Sequence, residues 1–423
     1  MKKLSILLLL MNCVGFAPNT KAVSEAAVLF LLIQPSIRAN GMAGTSVASS
    51  QHEALSVAFN PAHIGLATLK RSFNLEFYPG RTNWLPQFDI KGLNYDAKSI
   101  LLGYNLKRLN KHLPLSIAMG YTRIVINLGE QIITGETGPE PLGAFTNSEN
   151  ADIWTFGIGF DYFVQVGLGW NFKNIESELA GGLADGEIVT GRATANAHDF
   201  GILVHLPVIK TISKLTNKQF KIGKGFYPFF KPGFGFSKSN IGDEISYIDA
   251  VASDPLPRVA RMGFSINTGF SYSNENNNLR LLSFEWSSEA EDLLVRRDAS
   301  GNFSYESGVG EIDFFENVIK ARANQNVANS KGWELNLLDS FSIRSGRHEE
   351  PDGNVFYDAF GFGISLTGLI RFAGFINPQI MNSGLLSFLS QHVDIEYNYS
   401  NFDAGRGHPL DNTSFNGVKI SLF

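Results

Sequence analysis

The sequence predicts an all-β fold, a transmembrane antiparallel β-barrel of about 14 strands with a small N-terminal plug or hatch segment. Three observations carry the expectation. Apolar side chains alternate with small or polar ones in segment after segment from residue 73 to the last. A short stretch of secretory-signal character opens the chain. Beyond it, no apolar run approaches the ~18–20 residues that a membrane-spanning helix needs.

The opening comes first. Lys2 and Lys3 precede an apolar stretch over residues 4–11, and residues 19–22 form a polar tail ending on Ala22. A signal peptide cleaved after Ala22, residues 1–22, is the favoured reading, ahead of a buried N-terminal helix. Cys13, the one cysteine, falls inside it, and Asn12 argues against an acylated lipoprotein cysteine there. The mature chain would then carry neither disulfide nor catalytic thiol. With net charge −5 and 18% charged residues, the chain offers no electrostatic case for nucleic acid.

The strands follow. Leu115, Ile117, Met119 and Tyr121 alternate with Ser116, Ala118, Gly120 and Thr122. Trp154, Phe156, Ile158 and Phe160 alternate with Thr155, Gly157, Gly159 and Asp161, and the rhythm returns at 262–273, 282–286, 360–366 and 393–400. Successive side chains on a strand point to opposite faces, so period two over such lengths is a strand signal. A soluble sandwich has the same period but sets charges and threonines on its second face. Here the second face is rich in Gly, Ser and Asn, and the first in Phe, Tyr and Trp near segment ends. A barrel in lipid needs this arrangement. Closure also pairs every backbone donor and acceptor, which an open sheet in hydrocarbon could not do.

Longer polar regions near 127–150, 173–197 and 287–331 interrupt the rhythm and are expected as loops outside the membrane. They are either plainly solvated or recognition surfaces. Within the last, Ile312, Phe315, Val318 and Ile319 have helical spacing. The chain ends on a strand over 415–423, with Phe423 on the parity of Lys419 and Ser421 rather than that of Val418, Ile420 and Leu422. The domains expected are therefore residues 1–22 as signal, 23–70 as plug or hatch, and 71–423 as barrel.

Residues 23–70 differ in kind. An apolar run over 26–33 is broken by Pro35, residues 38–50 are packed with small side chains, and residues 51–59 have helical character before Asn60-Pro61-Ala62. Small residues permit close backbone approach, as a plug inside a lumen requires; a flexible tail is the alternative. Glu334, Asn336, Arg344, Asp394 and Glu396 are expected to face the lumen. There they could line a polar path, lock a plug through Arg–carboxylate pairing, or simply fill the interior.

No chemistry-bearing motif emerges. There is no His-Glu-x-x-His, no Gly-x-Ser-x-Gly elbow and no phosphate loop. Asp352-Gly353-Asn354 reads as a turn, Gly157/Gly159 and Gly361/Gly363 as lumen-facing strand positions, and His205 as a lumen or interface residue. No catalytic residue, metal or cofactor is expected, and an enzyme is the weakest class.

The stretch over residues 30–50, FLLIQPSIRANGMAGTSVASS, followed by Phe59-Asn60-Pro61-Ala62, resembles the N-terminus of PorV/PorQ-family proteins, within the wider group of FadL-like outer-membrane barrels. Phe30, Leu31, Pro35, Arg38, Gly41 and Met42 fit the pattern best, with Val47 and Ala48. Asn60, Pro61 and Ala62 match the Asn-Pro-Ala element of the wider group. Ala43-Gly44 departs from it, since the family usually has Gly directly after Met. A looser similarity covers residues 331–346 and the strand at 361–366. The resemblance implies a fourteen-stranded barrel in the outer membrane of a Gram-negative bacterium, with its N-terminus folded into the lumen. It also implies a PorV-like role in type IX protein secretion, binding the secretion translocon and the C-terminal signal domains of cargo proteins. The alternative is a FadL-like channel for hydrophobic small molecules, with such a molecule or a lipid in the lumen and residues 30–62 as hatch.

Overall fold

The computed structural model describes residues 26–134, 141–184, 187–223, 225–247, 253–273, 278–298 and 302–423. The expected signal over 1–22, with Cys13, lies outside them. The wall is an antiparallel sheet in which each strand pairs with its sequence neighbours. Its strands are β1 (Phe73–Phe77, resumed at Thr82–Asn83), β2 (Leu93–Asn105), β3 (Leu115–Thr134), β4 (Pro141–Asp161), β5 (Gln165–Ala184), β6 (Glu187–His205) and β7 (Phe226–Gly242). The second half comprises β8 (Val259–Ser273), β9 (Asn278–Leu293), β10 (Val327–Leu337), β11 (Phe341–Glu350), β12 (Val355–Ser365), β13 (Val393–Asp403) and β14 (Ser414–Leu422).

The ring closes between first and last strands: Phe73 pairs Leu422 and Phe77 pairs Val418, while β1 also pairs β2. Counting the two pieces of β1 as one strand gives a closed barrel of 14. Both ends of the wall, Phe73 and Leu422, lie at one rim, called proximal below.

The alternation read from the sequence sorts the two faces. Phe172, Trp154 and Ile117 turn outward and touch little of their own chain; Phe172 is 55% exposed while its neighbour Asn171 is 0%. A water-soluble molecule does not spread an aromatic and aliphatic band of this extent over its surface, and the band is what lipid requires. The chain is a transmembrane β-barrel. Among the described residues no helix is long and apolar enough to cross a membrane.

The segments expected as loops are largely strand. β3 and β5 each run 20 residues, and β4 runs 21. A tilted strand crosses the hydrocarbon in about 9–11 residues, so the surplus projects from the distal rim as paired hairpins. Alternation in the sequence fades there because the outer face turns polar, as at Asn174, Glu176 and Arg192, while the inner face stays buried at Ile175, Ser177, Ala193 and Ala195, and the backbone ladder persists. The third region opens later than expected, since β9 extends to Leu293, and closes earlier, since β10 begins at Val327. Between them stand a short ladder, Val295–Arg297 with Phe303–Tyr305, and a π-helical turn at Phe314–Ile319. Of the four residues at helical spacing, Ile312 and Val318 are buried with Ala260, Leu294 and Val327, whereas Phe315 is 69% exposed and Ile319 also stands out.

Two further departures lie at the proximal rim. Leu366 does not continue β12. It opens a helix, Leu366–Ile376, whose Ser365 N-cap accepts from Gly368 N; a second helix, Gly384–His392, follows. Phe423, out of step with the lipid-facing parity, lies within cation–π reach of Arg71 and Arg371, 5.9 and 5.6 Å from its ring centre. Its N–H donates to His392 O at 3.1 Å.

Candidate functional site

The lumen is occupied by the chain's own N-terminal residues, which descend from the distal loops, where Ala27 N donates to Pro255 O at 3.0 Å, to β1 at the proximal rim. Short elements shape this plug. A 3-10 turn spans Leu29–Leu32, α1 spans Ile37–Asn40, a second 3-10 turn spans Leu55–Ala58, and α2 spans His63–Ala67. The helical character seen at 51–59 thus narrows to one 3-10 turn.

Glycines on the inward parity let plug and wall backbones meet. A Cβ at Gly169 would stand 2.1 Å from Pro61 O, and one at Gly159 2.1 Å from Gly65 O. Gly201 makes room for Asn60, Gly332 and Gly346 for Met42, and Gly361 for Gly41. Asn60 shows why this element turns where it does: its Oδ1 accepts from Ala62 N at 3.1 Å and its Nδ2 donates to Val47 O at 2.8 Å. Asn is suited to this because its side chain closes a turn against its own backbone.

Charge fixes the plug half-way up. Arg38 donates to both oxygens of Glu334 on β10, at 2.8 and 3.2 Å, and to Ser49 Oγ at 2.8 Å. Arg344 on β11 shares Glu334 and reaches Asn398 Oδ1 at 2.7 Å and Glu396 Oε1 at 3.5 Å. Lys419 on β14 pairs with Glu396, and Arg71 with Asp394 at 3.3 Å. Arg38 and Arg344 are almost wholly buried, so each guanidinium depends on these partners. Of the five polar residues expected at the lumen, Glu334, Arg344 and Glu396 therefore join one assembly with Arg38 of the plug, and Asp394 pairs separately with Arg71. The fifth, Asn336, donates instead to Ser342 Oγ at 2.9 Å, within the wall.

Several anchors were not singled out from sequence. Glu285 accepts from Ser49 Oγ and Ser50 N at 2.9 and 3.1 Å, and Glu289 from Ser46 N and Val47 N at 2.8 and 2.9 Å. Glu76 accepts from Leu55 N at 3.0 Å. The signal was present: each is a carboxylate on the small-residue or polar parity of a strand, Glu285 and Glu289 together on β9 and Glu76 beside Asn74 on β1. His205 also faces the plug, its Nε2 donating to Ala48 O at 3.1 Å.

Above this polar waist the lumen changes character. Tyr95 and Ala97 on β2, Ile124 and Ile126 on β3, Ile153 on β4 and Ile175 on β5 point inward and are buried. On the adjoining β13 and β14, Phe402 and Phe415 meet edge-to-face at 5.3 Å, and Tyr78, Trp84 and Tyr95 complete an aromatic group around them. Phe30 and Leu31 are buried in this apolar chamber. Tyr78 Oη donates to Pro35 O at 2.7 Å and Tyr95 Oη to Ile33 O at 3.3 Å, so the aromatic group holds the strip that follows them. A polar or small-residue interior was the expectation; the chamber departs from it, and lower in the lumen Leu101 packs with Ile64 and Leu203 with Leu66 of the plug. Among the described residues no cluster of three or more His, Cys, Asp or Glu side chains is disposed to hold a metal ion.

Comparison with solved structures returns barrels. The Ralstonia pickettii toluene transporter TbuX is 12% identical with a TM-score of 0.44, covering 92% of this chain and 97% of that one. The CymD monoaromatic hydrocarbon channel is 11% identical with a TM-score of 0.39, covering 92% and 96%. A Pseudomonas aeruginosa FadL homologue is 10% identical with a TM-score of 0.38, covering 92% and 97%. No family model matches, and no curated protein does. The secretion role implied by the PorV/PorQ likeness rests on that likeness alone.

Proposed function

We propose that the barrel is an outer-membrane channel for hydrophobic small molecules, with residues 26–72 as its hatch. The apolar distal chamber carries this reading. A water-filled pore gains nothing from isoleucines and clustered aromatics on its inner face, whereas ligand sites are mainly apolar with a few placed polar groups. Phe30 and Leu31 occupy the chamber as an apolar guest would, and the Arg38–Glu334 clamp below holds them there. Passage then requires the hatch strip to yield, not the wall to widen. Long distal hairpins fit an extracellular distal rim. The names of the neighbouring structures, toluene transporter and hydrocarbon channel, are of the same kind.

Proteoliposomes loaded with the full chain supply the test, using a radiolabelled alkylbenzene against a polar sugar. Ile153→Asn places an unpaired amide in the chamber, a penalty of about 1–3 kcal/mol, and alkylbenzene transfer should fall about tenfold while the heat-modifiable gel shift persists. Unchanged transfer, or equal passage of sugar and alkylbenzene through the unmutated barrel, would sink the reading. The secretion alternative is tested on native membranes, where co-purifying translocon or cargo would favour it over the channel.

A further inference from the structure

Three proximal connections meet on one sector of the rim: residues 106–114 between β2 and β3, 162–164 between β4 and β5, and the described residues 206–223 between β6 and β7. Asp161 binds the sector together, with Lys107 Nζ at 3.2 Å on one side and Lys210 Nζ at 3.4 Å on the other. Lys214 Nζ donates to Tyr162 O at 2.8 Å and Thr211 Oγ1 to Phe163 O at 2.6 Å. These bonds fix a third helix, α3, at Val208–Thr216.

The sequence of α3, VIKTISKLT, sets Val208, Ile209, Ile212 and Leu215 on one face and Lys210 and Lys214 away from it. A helix of this pattern on a soluble body buries its apolar stripe. No residue of α3 is buried, and Leu215 is 66% exposed. Leu109 in the neighbouring connection is 73% exposed, and Ile222 also stands out. The outward wall residues Ile117, Phe160 and Leu206 are exposed too, and Leu206 lies two positions before α3, so the lipid-facing band continues onto the rim. Charge on the sector is one-sided. Lys107, Arg108, Lys111, Lys210, Lys214, Lys218 and Lys221 face a single carboxylate, Asp161, in a chain whose net charge is −5.

We propose that this sector anchors the barrel in the membrane interface. On this view α3 lies in the membrane plane, Ile212 and Leu215 enter the acyl chains of the proximal leaflet, and Lys214, Lys218 and Lys221 bind phosphate groups of anionic phospholipid. Interfacial helices have this layout, an apolar face with lysines on the polar one, and basic side chains beside a bilayer are drawn to anionic headgroups. Lysine stems long enough to lie along apolar surface let one side chain serve both ends. An acidic protein would satisfy the charge alone. Continuity with the lipid-facing wall favours lipid.

The test uses the full chain, with Cys13 replaced by serine, in phosphatidylcholine/phosphatidylglycerol vesicles. Single nitroxide labels are placed at Leu215→Cys, Lys218→Cys and, as a wall control, Phe172→Cys. The Leu215 label should collide with dissolved oxygen as the wall control does and be shielded from a water-soluble nickel chelate, while the Lys218 label is open to the chelate. Nickel access at Leu215 equal to that at Lys218 overturns the proposal. So does a Leu215 label that is shielded only after a periplasmic extract is added, which would transfer the face to a protein partner. The headgroup arm uses native mass spectrometry of Lys214→Gln/Lys218→Gln/Lys221→Gln. Retained phosphatidylglycerol should fall several-fold, and excess inorganic phosphate should not displace it from the unmutated chain. Equal retention in the triple variant, or displacement by free phosphate, refutes headgroup binding.

Discussion

Glu334→Gln is the perturbation with the sharpest expected outcome, because one carboxylate serves two buried arginines. Arg38 grips both of its oxygens from the plug, and Arg344 shares it from the wall. Removing one partner of a buried ion pair costs about 3–5 kcal/mol, since an unpaired charge remains in low dielectric. Here the remaining contacts limit the loss: Arg38 keeps Glu285 at 3.6 Å and Ser49, and Arg344 keeps Asn398 and Glu396. The lower end of the range, about 3 kcal/mol, is therefore the working figure, and at 1.4 kcal/mol per decade it shifts the plug's docked-to-undocked ratio roughly a hundredfold. Arg38→Met should cost less, because Glu334 retains Arg344. Planar-bilayer recording reads the shift as open time, and limited proteolysis reads it as cleavage within residues 26–72. Both should rise more for Glu334→Gln than for Arg38→Met, in barrels whose gel shift is normal. Open time and cleavage within a factor of about two of the unmutated chain in both variants, or the reverse order, would refute the clamp.

Two further outcomes are expected. Gly169→Ala drives a methyl group into Pro61 O, which stands 2.1 Å from the position a Cβ would take; neither backbone can retreat cheaply, so the plug near 60–65 should become protease-sensitive while the wall survives detergent and heat as before. Phe423→Ala removes a ring within reach of Arg71 and Arg371. At about 0.5–1 kcal/mol per exposed cation–π contact, a melting-temperature drop of a few degrees by scanning calorimetry is expected, and no change would show that the ring contributes nothing there.

Much of the wall was legible because lipid imposes one rule on every strand. Trp154, Phe156 and Ile158 must face outward wherever they lie in the order, and period two records it. The plug's docking was legible in part, since Arg38 and the Glu334/Arg344 pair stand out as charges among small residues. What escaped reading had lost the rule. At residues 173–177 the outer face is polar, at Asn174 and Glu176, while the inner face stays buried, so the contrast that marks a lipid-facing strand is lost and a paired hairpin reads like a loop. At 366–392 an apolar run short of a strand's alternation is two helices, and periodicity over so few residues does not separate these. The apolar chamber was visible only as a parity conflict: Ile124 and Ile126 sit on the parity of Thr122, and Ile153 on that of Thr155. Such residues look like breaks in the pattern until the inner face is known to turn apolar at that height, where the outer face already carries the Arg123–Asp152 pair.

The direct contact of Pro61 and Gly65 carbonyls with the glycine positions of β4 and β5 bears on how this barrel could ever let anything through. Where main chain lies on main chain there is no lubricating layer, and a displacement of an ångström opens a gap that no water can enter, forfeiting van der Waals contact on both sides without hydrating either. Gly65 O would in that case also lose the Ser116 hydroxyl that donates to it at 2.6 Å. Small excursions are thus penalised more heavily than a withdrawal wide enough to admit solvent, and the strip should behave as a latch with two positions rather than as a valve with many.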